Sequence, residues 1–519
     1  MRFERTKNAV RSIIFNVLLK LYQIIIPFFM RTAVIYFLGI KYLGLSSLFL
    51  SIISVLNLTE LGVGSAMIYS MYKPIARNDN YTICALLKLY KSYYRFIGLV
   101  VLGLGMILLP FIPNLINGNI PADINIFILY IMNLAVSVLS YWMFSYKSSL
   151  LSAFQRYDIL AKCSIIMTTL QYILQFIILI FLRNYYAYFG VAILLQVINN
   201  YVVAKIVDKL YPEIKPYGIL DVSIVKEINK RIRDLFTSKI GGVIVDSSDS
   251  IIISAFLGLI ALSMYQNYFF ILSAALGIIG VIIGACTSGI GNSLIVESID
   301  KNYSDFKNFT FIIFWITSCC TSCFLCLYQP FMKIWMGSEL MLSFLMVILF
   351  CIYFYLRCIN LLLNLYKDAA GMWHVDRFRP LVTAVCNLLM NLVMIQFIGI
   401  YGVLLSTILS IALIGMPWIF YNLFKYLFCR NPWAYIKKLV FYTTSTFFIC
   451  LVGYWITGLL PEGGLVWLMP KLVINLLISN CILWMFCHHL EEYQKMTDLI
   501  TRVLNMNSIF KRIKRVLYD

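Results

Sequence analysis

Three cations and three acids stand inside long apolar runs of this sequence: Lys20, Arg31 and Arg357, and Glu60, Asp246 and Asp249. In an apolar helix each such charge costs roughly 2.5–3.5 kcal/mol at the centre, so each needs a use. Helical spacing sorts them into stripes. Asn16, Lys20, Gln23, Pro27 and Arg31 follow at steps of four, three, four and four, which is one helix face. Asn57, Glu60 and Gly64 repeat the pattern, as do Arg357, Asn360 and Asn364; Asn387 and Asn391 lie one turn apart, as do Gln171 and Gln175. Asp246 and Asp249 share a face at i, i+3 among Ser247, Ser248 and Ser250. The chemistry on offer is binding rather than bond-making. Guanidinium groups suit bidentate contact with phosphate. The acids could balance those cations or carry a coupling proton or sodium ion, since two carboxyls in low dielectric make one of them easier to protonate. Stripes on several helices point to a shared wet cavity; separate polar clasps between helices are the alternative.

The elements that carry these residues are membrane spans. The chain has 519 residues, 61% hydrophobic and 13% charged, with a mean hydropathy of +0.86. Such a composition describes an all-α polytopic membrane protein, and the unbroken apolar stretches suit helices, not the alternating strands of a barrel. Fourteen spans are predicted, near 12–38, 43–69, 96–112, 124–146, 159–182, 188–204, 240–260, 265–290, 309–330, 341–366, 380–398, 402–424, 439–458 and 471–487. The basic N-terminus precedes an apolar run too long for a signal peptide, so that run reads as the first span. With the N-terminus inside, only Lys41, Arg183, Lys333 and Lys471 of the 42 Lys and Arg fall in outer segments, and Lys20, Arg31 and Arg357 within spans. All others are cytoplasmic, which supports the span count and cytoplasmic N- and C-termini. The net charge of +19 then reflects this bias and contact with anionic membrane lipids, not nucleic acid.

Residues 1–208 read as a six-helix bundle and 239–424 as a second one in parallel pseudo-repeat. "FLGIKYLGLSSLFLSI" from Phe37 and "FLGLIALSMYQNYFFI" from Phe256 match at five of 16 positions. Residues 209–238 form a cytoplasmic linker whose Ile224, Ile228, Ile232 and Leu235 predict an amphipathic interfacial helix. Residues 425–487 add a helix pair, and 488–519 a basic tail whose "MNSIFKRIKRVLYD" reads as a second interfacial segment. Gly280 and Gly284 form a GxxxG expected to allow close helix packing. The cysteine cluster Cys319, Cys320, Cys323 and Cys326 lies in a span and reads as packing, so no metal or cofactor is expected.

The run "RTAVIYFLGIKYLGLSSLFLSIISVLNLTELGVGSAMIYSMYKPIARND" from Arg31 resembles the bacterial polysaccharide flippases. These are the O-antigen and capsule repeat-unit translocases of the multidrug/oligosaccharidyl-lipid/polysaccharide exporter superfamily. "DSSDSIIISAFLGLIALSMYQNYFFI" and "GIGNSLIVES" resemble the matching segments of the second half, with Ser293 where a larger apolar residue is usual. The resemblance implies two bundles in a V, alternating access, and transfer of an undecaprenyl-pyrophosphate-linked oligosaccharide across the bacterial cytoplasmic (inner) membrane. Polysaccharide polymerase and glycosyltransferases are the implied partners. Arg31, Arg357 and Lys20 are then the expected head-group contacts, with Glu60, Asp246 and Asp249 balancing charge or coupling ions, and Arg31 the expected partner of Glu60. Asn16, Gln23, Asn57, Asn360, Asn364, Asn387 and Asn391 would line the cavity. A cation-coupled drug or small-solute antiporter and a lipid II flippase are competing readings within the superfamily. A membrane-embedded glycan polymerase or acyltransferase fits less well. The outer loops are short, and the three histidines, His374, His488 and His489, lie outside the span centres.

Overall fold

The computed structural model of the chain describes residues 5–461 and 464–505, and all regular structure among them is helical. In chain order the helices are α1 (Arg5–Phe37), α2 (Ile40–Leu56), α3 (Val63–Ala76), α4 (Asn80–Leu108), α5 (Ile126–Trp142), α6 (Ser148–Ala153), α7 (Tyr157–Phe181), α8 (Tyr185–Leu210) and α9 (Val222–Val296). There follow α10 (Ile299–Met336), α11 (Phe344–Ala369), α12 (Trp373–Asp376), α13 (Arg379–Ile398), α14 (Ile400–Ser410), α15 (Met416–Asn422), α16 (Trp433–Gly458), α17 (Gly464–Cys487) and α18 (Glu491–Asn505).

Among the described residues, twelve helical stretches are long and apolar enough to cross a bilayer, and thirteen if α5 and α6, bent by 49°, form one broken span. α9 alone has 75 residues, about 110 Å at 1.5 Å per residue against a hydrocarbon core of roughly 30 Å. Its backbone leaves helical geometry at Gly258 (φ 85°, ψ 179°), so it supplies two spans, and counting these separately together with α5–α6 as one broken span gives the expected fourteen among the described residues. The chain is a multi-pass membrane protein.

Gly258 also gives the internal repeat a structural basis. Its sequence counterpart in the matching stretch, Gly39, has φ 111° and ψ 164°, so both glycines turn the chain through the same left-handed, extended conformation. Only glycine adopts it without strain. At Gly258 the carbonyls freed by the break find partners on Asn117, whose amide N–H donates to Ser254 O (3.0 Å) and whose Nδ2 donates to Phe256 O (2.6 Å). A Cβ at Gly44 would stand 2.4 Å from Leu259 O, so the backbones of α2 and α9 meet here in direct contact.

Residues Met1–Gln266 and Asn267–Asp519 form two compact units. In the first, α1 packs along α7, α4 along α5 and α7 along α8. In the second, α10 is the central element, with α11, α16 and α17 around it. Phe311, Phe314, Tyr442, Ile449 and Leu483 build its core. Polar clasps register the last two spans against α10: Thr310 with the Tyr435 hydroxyl (3.0 Å), Ser318 with Thr446 (2.7 Å), and Ser322 Oγ donating to Asn475 Oδ1 (2.9 Å).

Two expectations are corrected, and a third is not reached. The amphipathic segment is helical from Val222, but it runs without a break into the following span instead of forming a separate interfacial helix. Its apolar face is partly covered by protein: Ile228 is buried, Ile224, Ile232 and Leu235 are half-buried, and a Cβ on Gly62 would stand 2.7 Å from Leu235 Cβ and 3.1 Å from the Ile232 carbonyl oxygen. At Gly280 and Gly284 no atom of the described residues lies within 4 Å of where a Cβ would stand, so among the described residues this GxxxG does not bring helices together. The fourteen-residue tail from Met506 lies outside the described residues.

Candidate functional site

The second span is broken at the residues the polar stripe marks. α2 ends at Leu56, Asn57–Glu60 form a single 3₁₀ turn, Leu61 is extended, and Gly62 (φ 88°) starts α3 from a left-handed conformation. Two constraints meet at Gly62: the backbone conformation favours glycine, and α9 lies against it at Leu235 and Ile232. The break places Glu60 at the junction of two half-helices, where backbone groups are not all taken by the helix ladder.

Glu60 Oε1 accepts a 2.9 Å hydrogen bond from the Tyr94 hydroxyl, which in turn accepts one of 2.6 Å from the Tyr90 hydroxyl. Tyr141 packs edge-on against Tyr94, with ring centroids 5.5 Å apart. Gly64 makes room for this group, since a Cβ there would stand 3.1 Å from the Tyr90 hydroxyl and 3.3 Å from Glu60 Oε1. Asn57 Oδ1 accepts from Ser137 Oγ (2.7 Å), tying the break to α5. The expected pairing of Glu60 with Arg31 is therefore corrected. Its partner is the Tyr94 phenol, and Glu60 makes no ion pair with Arg31 among the described residues.

Arg31 reaches elsewhere within the same unit. Its Nη1 donates to Gln266 O at 3.4 Å, and the Gln266 amide donates to Ser250 Oγ at 2.7 Å. Arg31 thus joins the serine-rich stretch of α9 through the end of the first unit. Asp249, next to Ser250, is buried, and Asp246 one turn earlier is exposed. The guanidinium is half-buried, a geometry that can receive an anionic group while part of its donor set is occupied by protein. On the same helix Lys20 is half-buried and makes no hydrogen bond or ion pair among the described residues, and Gln23 is exposed. Tyr22, beside them, pairs its hydroxyl with Thr169 (2.8 Å). The side chain of Asn16 lies outside the described residues.

In the second unit Arg357 is half-buried, with its guanidinium 5.9 Å from the centre of the Tyr353 ring, a cation–π geometry. Asn364 Nδ2 donates to Asn360 O (2.7 Å), and Asn364 Oδ1 accepts from Arg379 Nη2 (2.8 Å). Asn387 and Asn391 are fully buried: Asn387 donates to Thr407 Oγ1 (2.9 Å), and Ser406 donates to Asn391. These two hold α13 to α14 and do not line a cavity, which corrects their expected role. Two members of the cysteine cluster contact Asn475, whose Nδ2 lies 3.3 Å from Cys323 Sγ and whose Oδ1 lies 3.6 Å from Cys326 Sγ, while Cys319 belongs to the apolar core.

Sequence reasoning missed the phenols and a buried ionic cluster. Tyr90 and Tyr94, at i, i+4, carry a readable signal, for they form a hydroxyl stripe on one face of the next span. The cluster joins α11, α12, α13 and α15. Asp376, 2% exposed, accepts from Arg379 Nε (2.8 and 3.0 Å), Arg379 Nη2 (2.7 Å) and Asn422 Nδ2 (3.0 Å), with Lys367 Nζ at 3.7 Å. The first unit has a counterpart at the turn between α6 and α7, where buried Asp158 accepts from Arg156 Nε at 3.0 Å.

No family model matches the sequence, and no curated protein matches it. Solved structures do match the fold. A structure of the lipid II flippase MurJ in an inward closed conformation superposes with a TM-score of 0.69 at 15% identity, over 92% of this chain and 99% of that one. The Vibrio cholerae MATE transporter VcmN, in a mutant form, gives 0.57 at 16% identity, over 82% and 100%. An inward-facing multidrug resistance MATE family transporter of the MOP superfamily gives 0.57 at 12%, over 79% and 97%. This chain has the fold of MOP-superfamily transporters.

Proposed function

We propose that the chain is a flippase that moves undecaprenyl-pyrophosphate-linked oligosaccharide repeat units from the cytoplasmic to the outer leaflet of the bacterial inner membrane. It works by alternating access, and its product feeds O-antigen or capsule assembly. The observation that carries this reading is Arg31, a half-buried guanidinium within a span, held to Gln266 beside the acid- and serine-bearing stretch of α9. A permanent cation at that depth suits a diphosphate, which offers paired oxygens to its planar donor fork. Arg357 and Lys20 add further cationic contacts, and Glu60, Asp246 and Asp249 balance the charge or couple a proton or sodium ion. Gln23, Asn57, Asn360 and Asn364 contribute polar contacts to the sugar and head group.

The choice between flippase and drug antiporter rests on how much of the chain each kind of structure covers. The MATE structures account for nearly all of their own length but only 82% and 79% of this chain, whereas the MurJ structure spans 92% of it. The greater coverage supports the flippase reading over the antiporter one. A lipid II flippase is the near variant, and it predicts that the gene is essential for growth, which a repeat-unit flippase need not be. The test is complementation. In a strain lacking the gene, Arg31→Ala and Arg357→Ala should fail to restore surface polysaccharide although the proteins reach the membrane. Full restoration by both would remove these residues from the mechanism.

A further inference from the structure

A second polar pocket lies in the second unit, away from Arg357. It has a volume of about 310 Å³ between the end of α10, the Met341 turn and the start of α17. Its polar lining is Gln329, Lys333 and Lys471, and Ile334, Met341 and Trp467 supply apolar wall. Lys471 decides its chemistry. The residue is only 5% exposed, and among the described residues it has no hydrogen-bond or ion-pair partner.

Its inward direction is built into α17. Lys471, Asn475 and Ser479 stand at i, i+4 and i+8, and all three are buried. Asn475 is locked to Ser322 of α10 (2.9 Å), which fixes the rotation of α17 and turns Lys471, one turn away, toward α10 instead of lipid. The opposite wall is equally fixed. The Tyr268 hydroxyl donates to Gln329 Oε1 (3.0 Å), and Gln329 Nε2 donates to Leu342 O (2.7 Å). The first turn of α17 also faces the pocket through Gly464 and Trp467, and the N-terminal end of a helix favours negative charge.

We propose that this pocket is a phosphate site, with Lys471 and Lys333 as its cationic contacts. A buried ammonium that meets no counter-charge among the described residues is costly unless an anion completes it. The apolar wall beside it suits a phosphate ester that carries a hydrocarbon chain. On the orientation given by the charge bias, the pocket opens toward the outer leaflet. There the same chemistry could come from the head group of an anionic lipid or from a soluble phosphate. The site does not depend on the flippase reading, because its test measures binding and not transport.

The experiment is native mass spectrometry of the full-length protein after purification with phosphatidylglycerol, paired with thermal melting in neutral detergent with inorganic pyrophosphate. The wild type should retain phosphatidylglycerol, and Lys471→Gln should reduce retention about tenfold, the effect of losing one charged hydrogen bond. Lys471→Arg should keep it. Stabilisation of the wild type but not Lys471→Gln by pyrophosphate, without lipid retention, would assign the site to a soluble anion. Lys333 is exposed, so Lys333→Gln provides a variant that should fold even if Lys471→Gln does not, and it should weaken the same signal. Equal lipid retention and equal pyrophosphate response in wild type and Lys333→Gln, and in Lys471→Gln if folded, would overturn the proposal.

Discussion

The Tyr94 hydroxyl donates a 2.9 Å hydrogen bond to Glu60 Oε1 at the break between α2 and α3. The bond joins the one acid of that span to α4, so any movement of the half-helices must either carry α4 along or break it. Glu60→Gln keeps an acceptor oxygen for Tyr94 but removes the charge. Tyr94→Phe keeps the ring and removes the donor. If the charge works in transport, Glu60→Gln should lose most complementing activity with a melting temperature within a few degrees of wild type. Tyr94→Phe should cost about 1 kcal/mol of stability and retain partial activity. Unchanged transport in Glu60→Gln would make Glu60 a folding residue.

Gly62 should be the least replaceable residue of the break. Gly62→Ala places a methyl group 2.7 Å from Leu235 Cβ at a φ of +88°. Strain and overpacking together predict a loss of about 2–4 kcal/mol, read as a clear drop in melting temperature. Gly64→Ala meets only the Tyr90 and Glu60 side-chain tips, at 3.1 and 3.3 Å. It should disturb activity more than stability.

Asp376 and Arg379 test the buried cluster. Asp376→Ala leaves the buried Arg379 guanidinium without its carboxylate, while Lys367 keeps Asp368 at 2.9 Å, and should destabilise by about 3–5 kcal/mol. The double replacement Asp376→Leu with Arg379→Met should cost less than the sum of the single changes, which a double-mutant cycle on melting temperature would show. Additive effects would mean that the two side chains do not act as a pair.

Asp79 caps α4, and its side chain accepts from the Thr82 amide (3.0 Å) and hydroxyl. The Thr82 hydroxyl bond first and the amide bond second hold its carboxyl below the usual range. A depressed folded value stabilises the fold fully above the ordinary carboxylate value near 3.9, and the gain is lost as pH falls through the folded value. Asp79→Asn, which still caps, should therefore melt slightly below wild type at neutral pH, and the gap should close in acid. Asp79→Ala should lose about 1 kcal/mol at neutral pH.

Hydropathy, charge bias and helical spacing were enough to expect the fourteen spans, the repeat and the polar stripes. Periodicity names the face a residue occupies but not what that face meets. Arg31 and Glu60 stand on adjacent spans, yet one reaches Gln266 and the other Tyr94, because helix rotation and depth decide partners. Asn387 and Asn391 show the same gap, since their stripe is the one expected of a cavity and their burial is that of a clasp. Gly280 and Gly284 carry a packing motif without a packed neighbour among the described residues. The Asp376 cluster was hidden because its members come from four separate helices, and only Asp376 and Arg379 lie within one turn of each other, across a helix boundary.

The most direct measurement is leaflet transfer in proteoliposomes. A polyprenyl-pyrophosphate oligosaccharide is placed in the inner leaflet, and its sugar is detected outside with a membrane-impermeant lectin. The account predicts protein-dependent appearance of the sugar outside and near-background transfer with Arg31→Ala. Transfer no faster than in protein-free vesicles, with correctly folded wild-type protein oriented both ways, would contradict it.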